Sequence, residues 1–200
     1  MNCRPVAAAI LLLFAAFTGA CFWFEGIDGI WPGAARNATA LQIFVDLVIA
    51  MAFWWGWVIR DAPRSGPLWV VLGLVAGSLA PLLYTVVYGR WPGSSVSSLE
   101  TSAPVRIGGA VVAVPFAILT VAAIAMDGPN VPATVVGSWW SLQIFVDLVI
   151  AIGFWAGWML VDARRRGASP WGWLIYAVVL GSFSPLTYLI LLRRHPQTET

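Results

Sequence analysis

The sequence predicts an all-α integral membrane protein with six transmembrane helices, arranged as two inverted-topology three-helix repeats. Two observations carry this prediction. Hydrophobic residues make up 60% of the 200 residues and charged residues only 10%, a composition far from that of soluble domains. In addition, the stretch Leu41–Ala50 occurs again, unchanged, at Leu142–Ala151, so the chain contains an internal duplication.

The duplication extends well beyond the identical stretch. Residues 41–66 match residues 142–167 at 18 of 26 positions, and the later pairs Gly77-Ser78 and Gly181-Ser182 also correspond. Glycine, serine and proline, which are typical of connecting segments, are concentrated between the two copies. We therefore divide the chain into a first repeat at 1–88, a linker at 89–104, a second repeat at 105–195 and a tail at 196–200.

Each repeat contains three apolar segments that are long enough to cross a bilayer, since a helix of about 20 apolar residues spans its hydrocarbon core. Short turns that contain glycine or proline separate the second and third segment of each repeat. The six segments are 5–24, 41–60, 67–88, 105–126, 142–161 and 170–192.

The inverted arrangement follows from the number of segments. Three of them separate the turn at Ser65 from the equivalent turn at Ala168, so we expect these turns on opposite sides of the membrane. Inverted repeats are found in many secondary transporters. With this topology the arginines divide almost equally between the two sides, and the positive-inside rule does not orient the chain.

Two carboxylates inside the apolar segments are the main candidates for a functional site. Asp46 and Asp147 occupy equivalent positions, and an acid at this depth in a membrane indicates a functional site by default. Gln42 and Gln143 precede them by one helical turn on the same face, which continues into aromatic residues. The pattern has two interpretations: a site that binds a ligand or ion, or hydrogen bonds that only hold helices together.

Prolines in the third segment of each repeat predict a helix kink beside this site. Pro81 and Pro185 each remove a backbone hydrogen bond and free the carbonyl four residues earlier, which belongs to a glycine. Counted from the preceding turns, each carboxylate is level with the third segment of its own repeat. The expected hydrogen-bond partners are Tyr84 or Ser78 for Asp46, and Tyr188 for Asp147.

The sequence contains no catalytic triad, phosphate-binding loop or cluster of cysteine and histidine. We therefore expect no catalytic residue, cofactor or metal ion. A net charge of +2 is too small for a nucleic-acid surface. The expected partners are membrane lipid and a small lipophilic molecule or a cation. The sequence is also compatible with an oligomer.

The second repeat resembles a family of short, uncharacterised bacterial membrane proteins that is known only as a domain of unknown function. The resemblance rests on Asp147-Leu148, Phe154-Trp155, Asp162-Ala163-Arg164, Gly181-Ser182 and Pro185-Leu186, and it covers both repeats nearly end to end. Two helices per repeat are also similar to the abscisic-acid-deficient, neoxanthin-type membrane proteins of plants. The first repeat departs from the Asp-Ala-Arg turn, because it has Pro63 in place of the arginine.

For function, the sequence favours a small transporter or a protein that binds a lipophilic ligand, with the site between the repeats. One alternative is a structural or assembly subunit of a membrane complex. The plant resemblance implies another, an isoprenoid- or carotenoid-modifying membrane enzyme. The bacterial resemblance implies a multi-pass protein of the bacterial cytoplasmic (inner) membrane.

Overall fold

A computed structural model describes residues 4–90, 103–128, 130–165 and 167–191, and these residues form helices and no strand. We call residues 4–90 the N-terminal half and residues 103–191 the C-terminal half. Most of the predicted linker and the whole predicted tail lie outside the described residues. The helices are α1 (Arg4–Glu25), α2 (Ile30–Ala35), α3 (Ala38–Asp61), α4 (Gly66–Ala76), α5 (Leu79–Tyr88), α6 (Ala103–Asp127), α7 (Val131–Val135), α8 (Trp139–Arg165), α9 (Trp171–Leu180) and α10 (Phe183–Leu191).

Four of these helices, α1, α3, α6 and α8, are long and apolar enough to cross a membrane. The start of α3 follows ordinary helix chemistry, because the Asn37 side chain accepts a hydrogen bond of 2.8 Å from the N–H of Ala40 and so caps the helix. The prediction of an all-helical chain with helices suited to a membrane is confirmed.

The third apolar segment of the N-terminal half is a helical hairpin rather than one helix. α4 ends at Ala76 and α5 begins at Leu79. Trp69 on α4 packs edge-on against Tyr84 on α5, with ring centroids 5.1 Å apart. In a continuous helix, residues with this separation in sequence would lie about 22 Å apart. α5 therefore runs back along α4.

The C-terminal half contains an equivalent hairpin, formed by α9 and α10. The rings of Trp173 and Tyr188 lie 5.1 Å apart. In the middle of the two helices, the hydroxyls of Tyr176 on α9 and Thr187 on α10 lie within hydrogen-bond distance, at 3.2 Å. Both hairpins therefore return toward the end of the molecule from which they began.

The contacts between the halves show in which direction the long helices run. At the end of α1, Glu25 accepts a hydrogen bond of 2.8 Å from the N–H of Trp139, at the start of α8. In the first turn of α8, Ser141 donates one of 2.9 Å to the carbonyl of Gly33, in the short helix α2 that precedes α3. α3 and α8 pack side by side, so they begin at the same end of the molecule and run in the same direction.

These contacts overturn the predicted six crossings and inverted repeats. Each third segment returns to its starting end: at the end of α5, for example, the carbonyl of Val87 accepts a hydrogen bond from Arg4, at the start of α1. The turns at Ser65 and Ala168 consequently lie at the same end. The prediction failed because length and hydropathy are the same for a helix of about 20 residues and for two half-length helices with a break between them.

Glycine produces the break in each hairpin. Gly77 and Gly181 have φ of +54° and +55°, a backbone region that strains residues with a Cβ atom. Pro81 and Pro185 follow in the first turn of α5 and α10, where a missing N–H removes no intrahelical bond. The predicted proline kink is therefore wrong, and the Gly77 carbonyl is not free, since it accepts a hydrogen bond of 3.2 Å from the N–H of Ala80.

Candidate functional site

Asp46, on α3, reaches the break of the hairpin in the opposite half. Its Oδ1 accepts a hydrogen bond of 2.9 Å from the backbone N–H of Ser182, and its backbone carbonyl accepts one of 3.0 Å from the Ser182 hydroxyl. Ser182 is fully buried, and Asp46 is only 6% exposed. Two hydrogen bonds to one serine thus join α3 to the tip of the C-terminal hairpin.

Asp147, on α8, makes the equivalent junction with the N-terminal hairpin. Its Oδ1 accepts a hydrogen bond of 2.8 Å from the N–H of Ser78, and its backbone carbonyl accepts one of 3.0 Å from the Ser78 hydroxyl. Asp147 is 4% exposed and Ser78 is fully buried. The described parts of the two halves therefore form two matching carboxylate–hairpin junctions, and each crosses between the halves.

The partners of the two carboxylates differ from those we predicted. We expected Asp46 to contact Tyr84 or Ser78 of its own repeat, but its partner is Ser182 of the other half. The expected pairing of Asp147 with Tyr188 is wrong for the same reason. The prediction assumed a straight third segment. Because that segment folds back, its tip meets the facing half while its tyrosine returns to the base of the hairpin.

Each carboxylate caps the start of a short returning helix. The first N–H groups of a helix have no acceptor within it, and they give its N-terminus a partial positive charge. Ser78 directly precedes α5 and Ser182 directly precedes α10. Among the described arginines, none forms an ion pair with Asp46 or Asp147. The helix N-terminus is thus the positive group in each junction.

The glycine before each serine makes room for the carboxylate. A Cβ atom at Gly77 would overlap Oδ2 of Asp147, and one at Gly181 would overlap Oδ2 of Asp46. The Gly-Ser pair therefore has two roles, since the glycine permits close approach and the serine supplies the N–H and hydroxyl donors. From the sequence, we recognised these pairs as a sign of duplication and expected Ser78 as a possible partner of Asp46, but we did not predict that the glycine makes room for a carboxylate of the other half.

The predicted glutamines lie near the junctions but are not part of them. Gln42 is half-buried and Gln143 is buried, and the bonds to both carboxylates come from serine. The helical face that carries Gln42 and Asp46 is only partly buried along its length, because Trp57 is buried while Gly56 is exposed. The junction thus consists of aspartate, glycine and serine.

Tyr84 and Tyr188 belong to a second pair of carboxylates, which sequence reasoning missed. The Tyr188 hydroxyl donates a hydrogen bond of 2.7 Å to Asp162, and the Tyr84 hydroxyl donates one to Asp61. Asp61 also lies 3.4 Å from the guanidinium of Arg90. An acid in the last turn of a helix is disfavoured by the helix dipole. Its recurrence at both equivalent positions was the signal that the sequence offered.

Among the described residues, three tryptophans pack edge-on around each of these tyrosines. The centroid distances are 5.1 to 6.3 Å around Tyr84 and 5.1 to 6.1 Å around Tyr188. The aromatic region that we predicted beside the carboxylates is therefore occupied by a side chain of the hairpin itself. The tryptophans are Trp54, Trp57 and Trp69 in the N-terminal half, and Trp155, Trp158 and Trp173 in the C-terminal half.

No protein-family model, no curated protein and no solved structure matches this chain. The resemblances drawn from the sequence therefore stay predictions. Within the described parts of both halves, no group of three or more histidine, cysteine or acidic side chains is placed to hold a metal ion. The chemistry that the site offers is that of two buried carboxylates, each of which can take up a proton or a cation.

Proposed function

We propose that this chain is a small membrane transport protein that moves a cation, the proton included, between its two halves by way of Asp46 and Asp147. One observation carries the proposal. Two carboxylates are buried at the tips of broken hairpins, each against the opposite half and without an arginine partner among the described residues. Ionisable groups inside membrane segments mark ion pathways and proton relays.

In the proposed arrangement, α1, α3, α6 and α8 cross the membrane, and the two hairpins enter from one side and return to it. Non-helical backbone at membrane depth is tolerated only where protein covers it or where it lines a cavity. The breaks at Ser78 and Ser182 meet this condition, because each is hydrogen-bonded to the facing half. Broken helices of this kind form the substrate and ion sites of many transporters.

The arginines support one orientation of this arrangement. Among the seven arginines whose side chains are described, only Arg36 lies at the end where α3 and α8 begin. The other six lie at the end that carries the hairpin bases, and the positive-inside rule puts that end in the cytoplasm. The nearly equal division obtained from sequence resulted from the six-crossing topology. The six are Arg4, Arg60, Arg64, Arg90, Arg164 and Arg165.

This topology predicts that reporters inserted at Ser65 and at Ala168 are both cytoplasmic, whereas a reporter at Asp28 is on the opposite side. The physical reason is that only α6 and α8 cross between the first two positions. Fusion to reporters that are active on one side only provides the measurement. Opposite locations for Ser65 and Ala168 would mean that a hairpin crosses the membrane, and would remove the proposed arrangement.

A cation fits the junctions better than the lipophilic ligand that the sequence also allowed. The region between α3 and the N-terminal hairpin holds the fully buried Tyr84 with its surrounding indoles. The junction itself offers carboxylate, hydroxyl and backbone carbonyl oxygens, which are the ligand atoms of hard cations. The proposal therefore assigns the ion to the aspartates and leaves the aromatic clusters to packing.

Flux measurements test the proposal directly. We expect purified protein in lipid vesicles to carry protons or a monovalent cation above the rate of protein-free vesicles. Asp46→Asn and Asp147→Asn should each lower this flux by about tenfold or more, because the amide cannot titrate or balance a cation. Asp28→Asn, which changes an exposed acid, is the matched control. Unchanged flux in the double Asn variant would contradict the proposal.

A structural or assembly role is the second candidate, and one observation favours it. Each aspartate bonds to a single serine through both its carboxylate and its backbone carbonyl, an arrangement that holds two helices together without any ion. Interhelical hydrogen bonds inside membranes are worth about 1 kcal/mol. If the role is structural, we expect no cation flux above background in vesicles that contain the wild-type protein. We also expect cells that produce the Asp46→Asn or Asp147→Asn variant to behave like cells that produce the wild-type protein.

A further inference from the structure

A second set of carboxylates crosses between the halves, at the end where α3 and α8 begin. Glu25, which ends α1, accepts hydrogen bonds of 2.8 and 3.2 Å from the N–H groups of Trp139 and Trp140. Asp127, which ends α6, accepts one of 2.6 Å from the N–H of Thr39. These acids cap α8 and α3. Together with the two hairpin junctions, four carboxylates thus cap helices of the half to which they do not belong.

The contacts between the halves are self-complementary. Exchanging the halves converts the Asp46–Ser182 junction into the Asp147–Ser78 junction, with nearly the same distances. Along the seam between α3 and α8, equivalent apolar residues are buried in one cluster. Such mutual contacts are the signature of a two-fold dimer interface. The equivalent pairs are Ile43 with Ile144, Leu47 with Leu148, and Ala50 with Ala151.

We propose that the seam between the halves is a dimer interface in its own right. Each half is one copy of the duplicated unit, and it binds the other half as the two subunits of a homodimer bind each other. All of the contacts just described are made by residues outside 91–102, the segment that joins the halves in sequence. Hydrogen bonds from backbone N–H groups to a carboxylate are among the stronger protein hydrogen bonds, and those of Asp46 and Asp147 are buried. The halves therefore hold together without the peptide between them. This inference does not depend on the transport proposal.

Cleavage of the joining segment tests the inference on the full chain. A protease site is inserted between residues 91 and 102, and a tag is fused to the C-terminus. After purification in mild detergent and cleavage, we expect the untagged N-terminal fragment to stay bound to the tagged fragment and to elute with it in one size-exclusion peak. Separation of the fragments, in a detergent in which the uncleaved chain stays monodisperse, would overturn the inference.

The same cleaved protein tests whether the carboxylates provide the attachment. Asp147→Leu removes the acceptor for the N–H of Ser78, so its fragments should separate at a lower temperature than the wild-type fragments. Asp28→Leu alters an exposed acid and should leave the separation temperature unchanged. If the Asp147→Leu fragments separate at the wild-type temperature, the carboxylate junctions do not hold the halves together, and the inference is overturned.

Discussion

Gly181→Ala is expected to lower the midpoint of thermal unfolding by roughly 10 °C, which corresponds to about 3–5 kcal/mol in a chain of this size. Two effects add. A residue with a Cβ is strained at the φ of +55° that Gly181 adopts, at about 1–3 kcal/mol. The new Cβ would also displace the Asp46 carboxylate, leaving the buried N–H of Ser182 without its acceptor at a further cost of about 1–3 kcal/mol.

Gly172→Ala is the matched control, because it adds the same methyl group to the same hairpin. Nothing lies within 4 Å of the Cβ that it would place on α9, and alanine favours a helix over glycine by up to about 1 kcal/mol. In the N-terminal half, Gly77→Ala is compared with Gly56→Ala on α3, where likewise nothing lies within 4 Å of the added Cβ. Thermal unfolding in detergent, followed by tryptophan fluorescence, measures all four. Equal midpoints for Gly181→Ala and Gly172→Ala would mean that the close approach of Asp46 does not occur.

The four long helices could be predicted because their signal is local. A run of about 20 apolar residues is sufficient to indicate a helix suited to a membrane, and α1, α3, α6 and α8 satisfy it. The duplication also gave the equivalence of Asp46 with Asp147, and the structure places both in buried, matching positions. Features that depend only on the residues of a single helix could therefore be predicted from the sequence.

The hairpins were not predicted, although their chemistry is visible in the sequence. Glycine after an apolar run, with proline a few residues later, is a stop-and-start signal between two helices. Gly77 and Pro81 carry this signal, but a proline inside an apolar segment also suggests a kinked span. The choice between the two depends on whether Trp69 meets Tyr84, which is a tertiary contact. Because we predicted one continuous helix in place of each hairpin, the predicted topology placed the second half upside down relative to the first. The same error divided the arginines almost equally between the two sides of the membrane.

The partners of the site residues could not be predicted for the same reason. Asp46 and Ser182 are 136 residues apart in sequence, and only the relative direction of the halves decides whether they meet. An inverted second half would carry Ser182 away from Asp46. The aspartates of the site could thus be predicted from their charge and their position within an apolar segment. Their hydrogen-bond partners could not, because these depend on the topology of the whole chain.

Asp147→Leu is expected to destabilise the protein strongly, while Asp147→Asn keeps most of the wild-type stability. Leucine offers no acceptor to the buried N–H of Ser78, which should cost about 1–3 kcal/mol, and it removes the negative charge that faces the start of α5, worth up to about 1 kcal/mol more. Asparagine retains an oxygen at the Oδ1 position. Asp46→Leu and Asp46→Asn should behave alike at Ser182.

Unfolding midpoints for the two substitutions, measured beside vesicle flux, separate the roles of the carboxylate. A destabilised Leu variant together with a stable Asn variant establishes the hydrogen bond to Ser78, whichever function holds. Loss of flux in that stable Asn variant then isolates the charge, because folding and the serine junction are intact. An Asp147→Leu protein as stable as wild type would mean that the carboxylate does not cap α5, since a buried N–H without an acceptor cannot be neutral. The Asp28→Leu and Asp28→Asn proteins, altered only at an exposed acid, set the baseline for both measurements.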